Sequence, residues 1–229
     1  MTRVVLGSTS IGEVNFGFSY GVVTNTGDTG QGSVRQFIAN ANAPGGITAM
    51  RFVPAVATNR SAGGNAWWSV ALASPLPELT TTNLVVDGTA YWAATGTTVS
   101  NPNNATLGTG GTVGVDGVAL LTLNGPELEI TGARSLSSLM RLGGTGNTLQ
   151  NLGMYGGGNA IVVTSTGTAT VRRNLIGSAA GAFADPGASL RTSAHLISVP
   201  GVISNLRVEE NLMGFSGAWG FQNVGGGTT

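Results

Sequence analysis

The chain has 229 residues, of which 38 are glycine and only 9% are charged. Ten basic and ten acidic residues give a formal net charge of zero, every basic residue is arginine, and there is no cysteine. A neutral chain with scattered arginines has no basic face for phosphate, so we expect no nucleic-acid partner. No apolar run of roughly 18 residues occurs, so we also expect no membrane span. Abundant glycine, threonine and asparagine weaken helices and favour an all-β chain with many turns.

The N-terminal part combines short strands with the one good helix that the sequence predicts. Residues 1–22 are predicted to form strands, either the first of this domain or the end of a preceding module. A helix is predicted from Ser33 to Ala43, with Ser33 as N-cap and Gln36 three positions later, as in a capping box. Its apolar face consists of residues at the spacing i, i+3, i+4 and i+7: Val34, Phe37, Ile38 and Ala41.

The remainder, within a single domain predicted over residues 23–229, alternates short strands with turns. Two stretches interrupt this pattern. Residues 93–114 consist largely of alanine, threonine, glycine, serine and asparagine, which predicts a long surface loop. Residues 178–194 are predicted to form a second insertion.

An internal repeat carries the strongest architectural signal. Similar short segments surround Asn151, Asn174 and Asn211, with spacings of 23 and 37 residues, and the insertion at 178–194 accounts for the longer spacing. A period near 23, made of short strands with glycine and asparagine turns, is typical of one coil of a parallel β-helix. Such coils stack because none can bury its inner face alone. We therefore predict that the three asparagines stack in one column at a corner.

The same alignment makes a prediction about register. It places Arg172 and Arg173 directly over Glu209 and Glu210 on neighbouring parallel strands, about 4.8 Å away along the stacking axis. An exposed pair of this kind contributes roughly 0–1 kcal/mol. We interpret it as a marker of register and expect little stabilisation from it.

The segment at 23–43, VTNTGDTGQGSVRQFIANANA, resembles the opening of right-handed parallel β-helix regions in large bacterial secreted and cell-surface proteins. Their opening pattern is similar to VTNTNDSGPGSLRQAI followed by an AN pair. Four later segments resemble further steps of the same pattern in the same order: SPLPEL at 74–79, VVDGT at 85–89, NTLQNL at 147–152 and RNLIG at 173–177. The resemblance covers roughly residues 14–214. It implies a right-handed parallel β-helix whose N-terminal end is closed by the helix at 33–43.

The resemblance and the low charge together indicate an extracellular structural role, in a surface-layer protein, an adhesin or a self-assembling filament. The expected partners are copies of the chain or other envelope proteins, and no cofactor is predicted. No signal peptide is visible at Met1, and we interpret the chain as a piece of a longer protein. The alternative is a carbohydrate-active or carbohydrate-binding β-helix that acts on a polysaccharide, because parallel β-helices also host such enzymes.

An enzyme is the less favoured hypothesis, but two residues are candidates for it. Glu127 and Glu129 stand two positions apart on a predicted strand, so their carboxyls point to the same face, as glycoside hydrolysis requires. No cluster of aspartates recurs at the repeat. His195, the only histidine, is interpreted as a surface residue at the start of a strand. No cluster of cysteine and histidine suggests zinc, so no metal site is predicted.

Four aromatic residues form the candidate binding set: Trp67, Trp68, Tyr91 and Trp92. Exposed aromatic rings stack on sugar rings, so one hypothesis is a glycan platform. The other hypothesis is that these rings pack over the helix and the first coils.

Overall fold

A computed structural model describes residues 20–44, 47–113, 115–225 and 227–228. Most of the predicted strands at 1–22 therefore lie outside the described residues. The structure is mostly β, with one helix, α1, at Val34–Asn42. The strands are β1 Val22–Val23, β2 Arg51–Phe52, β3 Arg60–Ala62, β4 Asn65–Leu72, β5 Val85–Asp87, β6 Thr106–Leu107, β7 Thr112–Val113, β8 Val118–Ala119, β9 Leu123–Asn124, β10 Leu128–Gly132, β11 Ser138–Leu142, β12 Asn147–Gln150, β13 Leu152–Gly156, β14 Asn159–Val163, β15 Thr168–Arg172, β16 Leu175–Ile176, β17 Ile197–Val199, β18 Ile203–Glu209, β19 Leu212–Met213, β20 Phe221–Asn223 and β21 Gly227–Thr228.

Helix α1 begins where the sequence predicts. The Ser33 hydroxyl accepts a hydrogen bond from the backbone N–H of Gln36 at 3.1 Å, so Ser33 is the N-cap. The Gln36 side chain donates to Asn40 at 2.8 Å, while the Ser33 backbone N–H donates to Gly30. Half of the capping box is therefore formed, because another acceptor already satisfies the Ser33 N–H. Phe37 and the rest of the predicted apolar face are buried in the main core.

Three sheets make up most of the structure. Sheet 1 contains β5, β12, β15, β18 and β21; sheet 2 contains β3, β4, β10, β13, β16 and β19; sheet 3 contains β11, β14, β17 and β20. All neighbouring strands in these sheets pair in parallel, except β3 with β4. From β12 to β20 the chain passes through sheets 1, 2 and 3 in that order three times. We call each passage a round.

The core lies between the three sheets. Alternate strand positions point inward, and in-register pairing places equivalent apolar residues of successive rounds next to one another. These columns are Val86–Leu149–Val171 in sheet 1, Val70–Ile130–Met154–Ile176 in sheet 2 and Met140–Ile161–Ile197 in sheet 3. One continuous apolar core results, and helix α1 packs against it.

The corner between sheets 1 and 2 holds the asparagine column. The Asn174 side chain is buried, accepts from Leu152 N–H at 3.1 Å and donates to the Leu149 carbonyl at 3.0 Å. It also donates to the Asn211 side chain at 3.0 Å. Asn174 and Asn211 therefore stack as predicted and satisfy backbone groups of the neighbouring round.

The predicted place of Asn151 in this column is wrong by one residue. Gln150 pairs with Arg172, so these two rounds are offset by 22 residues, and Leu152 occupies the position equivalent to Asn174. Asn151 instead matches Arg173 and Glu210, and all three have positive φ, between 54° and 57°. Asparagine tolerates this left-handed conformation, so the sequence carries asparagine at two different corner positions.

The predicted register of Arg172 and Glu209 is confirmed, since the two residues are paired in β15 and β18. Their charged side chains, however, form hydrogen bonds to other residues and not to each other. Arg172 donates to Gln150 at 2.8 Å, and Glu209 accepts from Arg207 at 2.8 Å. The second predicted pair is confirmed as an ion pair between these rounds, since Arg173 lies 2.6 Å from Glu210.

Both predicted insertions leave the rounds as irregular connections. The first joins β5 to β10 and contains two short antiparallel pairs, β6 with β9 and β7 with β8, so it is not purely loop. The second joins β16 to β17 and contains no strand among its described residues, which form only an isolated bridge at Thr192. No helix among the described residues is long and apolar enough to cross a membrane.

Replacing Asn174 with alanine tests the corner column. The variant leaves the buried Leu149 carbonyl and Leu152 N–H without their partners, so we expect a loss of about 2–4 kcal/mol in the free energy of unfolding. Asn205→Ala is the control, because Asn205 is exposed. Urea denaturation of both variants measures the difference, and equal losses would contradict the role of the column.

Candidate functional site

The outer face of sheet 2 carries polar side chains that are buried. Pairing of β4 with β10 brings Ser69 opposite Glu129, and Trp67 and Glu127 lie at the start of the same pair. Outward positions of a single sheet are normally exposed, yet Glu127 is only 6% and Glu129 only 1% exposed. The two insertions, which pack over this face, are the reason for this burial.

Asn103, from the first insertion, is the centre of the cover. Its backbone N–H donates to the Glu127 carboxyl at 3.2 Å. Its side-chain amide donates to the Pro126 carbonyl at 2.9 Å and to the Ala180 carbonyl at 3.0 Å. Ala180 belongs to the second insertion, so one fully buried asparagine connects both insertions to sheet 2.

The Glu127 carboxyl is incompletely hydrogen-bonded. Its Oε1 accepts from Asn103, but within the described part of the chain Oε2 is buried and has no hydrogen-bond partner. Burial disfavours the charged form and raises the pKa of Glu127 from 4.5 to about 7, against the lowering effect of the Asn103 hydrogen bond. In a large fraction of the molecules, the Glu127 carboxyl is therefore protonated at neutral pH.

Glu129 has a different environment on the same strand. Its Oε2 accepts from the Ala180 N–H at 2.8 Å, so it holds the second insertion directly. Burial raises the pKa of Tyr155 on β13, and the negative charge of Glu129 raises it further. The sequence prediction that Glu127 and Glu129 share a face therefore agrees with the structure, but both carboxyls anchor loops.

A cleft of about 520 Å³ lies beside this cluster, between the first insertion and the corner of sheets 1 and 2. Its lining combines polar and apolar groups: Thr89, Asn101, Asn124, Asn151, Arg173, Glu210 and Glu127, with Val99, Leu121 and Leu123. The corner residues belong to successive rounds and so follow one another at about 4.8 Å. The cleft therefore runs across several rounds.

The charged groups along this corner are paired. The hydrogen bond and charge of Arg173 lower the pKa of Glu210. Burial acts to raise the pKa of Asp87, but hydrogen bonds from Asn151, Thr89 and Gln150 outweigh it and lower the pKa. Glu127 and Glu210 thus line one cleft, with the pKa of Glu127 raised by burial and the pKa of Glu210 lowered by Arg173.

The candidate aromatic residues do not form a single exposed surface. Trp67 and Trp68 are 5% and 6% exposed, and Trp68 packs edge-on against Phe52 in the core. Tyr91 lies under the guanidinium of Arg51 at 4.3 Å, and Trp92 alone of the four is largely exposed, at 57%. Two of the rings cover the first rounds, and only Trp92 is free to stack on a ligand.

His195 lies two residues before β17, at the end of the second insertion, and its ring packs on Trp219 with centroids 5.4 Å apart. No group of three or more histidine, cysteine, aspartate or glutamate side chains suited to a metal occurs in the described part of the chain.

Sequence reasoning missed Asn103 and Ala180. The side chain of Asn103 binds Pro126 and Ala180, which lie 23 and 77 residues away along the chain. No local pattern in the sequence indicates such contacts. The local pattern pointed the other way, because a glutamate between apolar residues, as in Leu128-Glu129-Ile130, is typical of a strand with one exposed face. Asn103 itself stands in a stretch that is predicted to be surface loop.

Comparison with known proteins adds no assignment. No family model matches the chain, and no solved structure matches it significantly. Interpretation of function therefore depends on the residues described above.

Glu127→Gln tests the protonation of the buried carboxyl. Glutamine resembles the neutral acid, so the variant should match the wild type near pH 4. Because the folded pKa of Glu127 lies above the unfolded value, wild-type stability should fall as pH rises from about 4.5 to 7, and this slope should vanish in the variant. Well above pH 7 the variant should be more stable by about 3 kcal/mol, since each unit of pKa difference is worth about 1.4 kcal/mol.

Urea denaturation of both proteins across this pH range measures the effect. Asp116→Asn is the control, because Asp116 is an exposed carboxylate of the first insertion. Parallel pH profiles for wild type and Glu127→Gln would show that folding leaves the pKa of Glu127 unchanged.

Proposed function

We propose that the chain is a right-handed parallel β-helix that serves as a rigid structural segment of an extracellular surface protein. The observation that carries this proposal is the fixed order in which the chain visits three parallel sheets, round after round. Stacked rounds with in-register columns give a stiff element, because each strand is held by the strand before it and the strand after it.

Helix α1 supports this proposal at the N-terminal side. Its buried face packs on the core beside β1 and β2, which are paired ahead of the three sheets. The end of a β-helix would otherwise expose apolar columns and unpaired strand edges, which invite aggregation. A helix that covers one end is what the resemblance to bacterial surface β-helices implies.

The surface chemistry favours a structural role. The chain has a net charge of zero and only 9% charged residues, and low net charge promotes close association. Ion pairs at the surface, such as Arg173 with Glu210, neutralise much of the charge that remains. We therefore propose copies of the chain or other envelope proteins as partners.

Electron microscopy of the native assembly tests this role. We expect immunogold label on the surface of intact cells that produce the protein, and ordered arrays or filaments in isolated envelope material. Intracellular label, or isolated monomers that do not associate at the cell surface, would contradict the proposal.

The alternative, a polysaccharide-binding or polysaccharide-cleaving β-helix, is favoured by one observation. Glu127 and Glu210 line a single cleft, and their pKa values move in opposite directions. A pair of this kind is what a glycosidase uses as acid and base.

A glycan array with fluorescent wild-type protein separates the two functions, with Arg173→Ala as the cleft variant and Trp92→Ala as a variant outside the cleft. A structural segment should bind no glycan in any of the three forms. Binding by wild type that is lost in Arg173→Ala and kept in Trp92→Ala would instead establish the carbohydrate function in the cleft.

A further inference from the structure

Two insertions that are far apart in sequence meet over Glu127 and Glu129, on the outer face of sheet 2. The first contributes Asn103, and the second contributes Ala180. Ala180 is bound twice, because its carbonyl accepts from Asn103 and its N–H donates to Glu129. The ring of Trp67 lies so close to Gly181 that a Cβ on Gly181 would come within 2.6 Å of it. The second insertion therefore fits tightly over the outer face of sheet 2.

This contact contains two buried acceptors without donors. Among the described residues, Oε2 of Glu127 and Oδ1 of Asn103 have no hydrogen-bond partner. Both atoms can only accept while the carboxyl is ionised. A proton on Oε2 converts one of the two acceptors into a donor. The Asn103 oxygen is the second buried acceptor in need of a donor, and it belongs to the residue whose backbone N–H already binds the Glu127 carboxyl.

We propose that Glu127 and Asn103 form a proton-operated latch, which holds both insertions on sheet 2 while the Glu127 carboxyl is protonated and loosens them when the proton leaves. The protonated carboxyl is neutral and satisfies its neighbour. The ionised carboxyl is a buried charge with one oxygen unpaired, which is strongly unfavourable. Local opening that admits water to Oε2 then becomes the less costly state.

The charged groups around Glu127 do not remove this cost. Glu129, two residues along β10, carries a like charge on the same face. On β13, Tyr155 lies beside Thr131 and interacts with Glu129, and Arg60 of β3 acts on that tyrosine. Across the cleft, Arg173 is already paired with Glu210. The covering segments at 101–107 and 177–184 contain no titratable side chain. Among the described residues, no cation forms an ion pair with Glu127.

Hydrogen exchange of the unmodified protein gives the first test. The Ala180 N–H should exchange more than about tenfold faster in wild type than in Glu127→Gln at pH 8.5, and at nearly equal rates at pH 4, where Glu127 is protonated whether the insertions are closed or open. Comparison at the same pH cancels the intrinsic pH dependence of exchange. Strand β14, in the core of sheet 3, is the internal control and should exchange alike in both proteins. Equal Ala180 exchange in both proteins at pH 8.5 would overturn the latch.

A thiol probe gives an independent test, because the chain contains no cysteine. Ala180→Cys places a single buried thiol under the second insertion, and Ala160→Cys places one in the core of sheet 3. Labelling by a thiol reagent, corrected for the thiolate fraction, should rise with pH at position 180 only, and adding Glu127→Gln should abolish the rise. A rise that persists in Glu127→Gln, or that also occurs at position 160, would contradict the proposal.

Discussion

The structure depends on one constraint, which is that no single round can bury its own apolar side chains. Three short strands enclose too little volume, so each round must place its inward residues against those of the next round. Ile130, Met154 and Ile176 show the result in sheet 2, where each is fully buried by its neighbours in the column. In-register stacking is therefore the condition for a core, and a shift of one residue would turn these side chains outward.

Stacking requires apolar residues at the inward positions. It does not restrict the residue type at the outward positions and the corners in the same way. At the corners, backbone groups that turn away from the sheets need partners, and Asn174 and Asn211 supply them. On the outward face of sheet 2, several outward-pointing side chains are buried. Two insertions cover Glu127 and Glu129, and burial gives Glu127 a raised pKa that an exposed strand residue would lack. The unusual chemistry of the molecule thus lies outside the core, where loops cover the rounds.

Features that depend on residues close together in the sequence or on the repeat were largely predictable, and features that depend on other distant residues were not. Helix α1 was predictable because an N-cap and an apolar face are local patterns, and the structure places Ser33 and Phe37 as expected. The pairing of Arg172 with Glu209 was predictable because the repeat preserves register between those two rounds. Asn151 was misplaced because asparagine suits both a left-handed corner and the position after it, so matching residue types could not separate the two.

The buried site was less predictable because its contacts join residues that are far apart in the sequence. That Glu127 and Glu129 share a face follows from strand periodicity, but their burial follows from Asn103 and Ala180, which come from distant insertions. Trp67 and Trp68 show the same limit. Both are compatible with a surface platform by composition, and only the tertiary structure shows that one packs in the core and the other beneath Gly181.

The central claim is that successive rounds lie in register on one another, and engineered disulfides test it most directly. Thr148 pairs with Thr170, and Thr170 pairs with Arg207, on the outward side of sheet 1. Paired parallel positions lie about 4.8 Å apart, within reach of a disulfide. The account predicts that cysteines at 148 and 170, or at 170 and 207, cross-link on oxidation. Cysteines at 148 and 172 share the outward face but lie about 8 Å apart, so they should not. Efficient cross-linking of 148 with 172, and none of 148 with 170, would contradict the stacking on which the whole account depends.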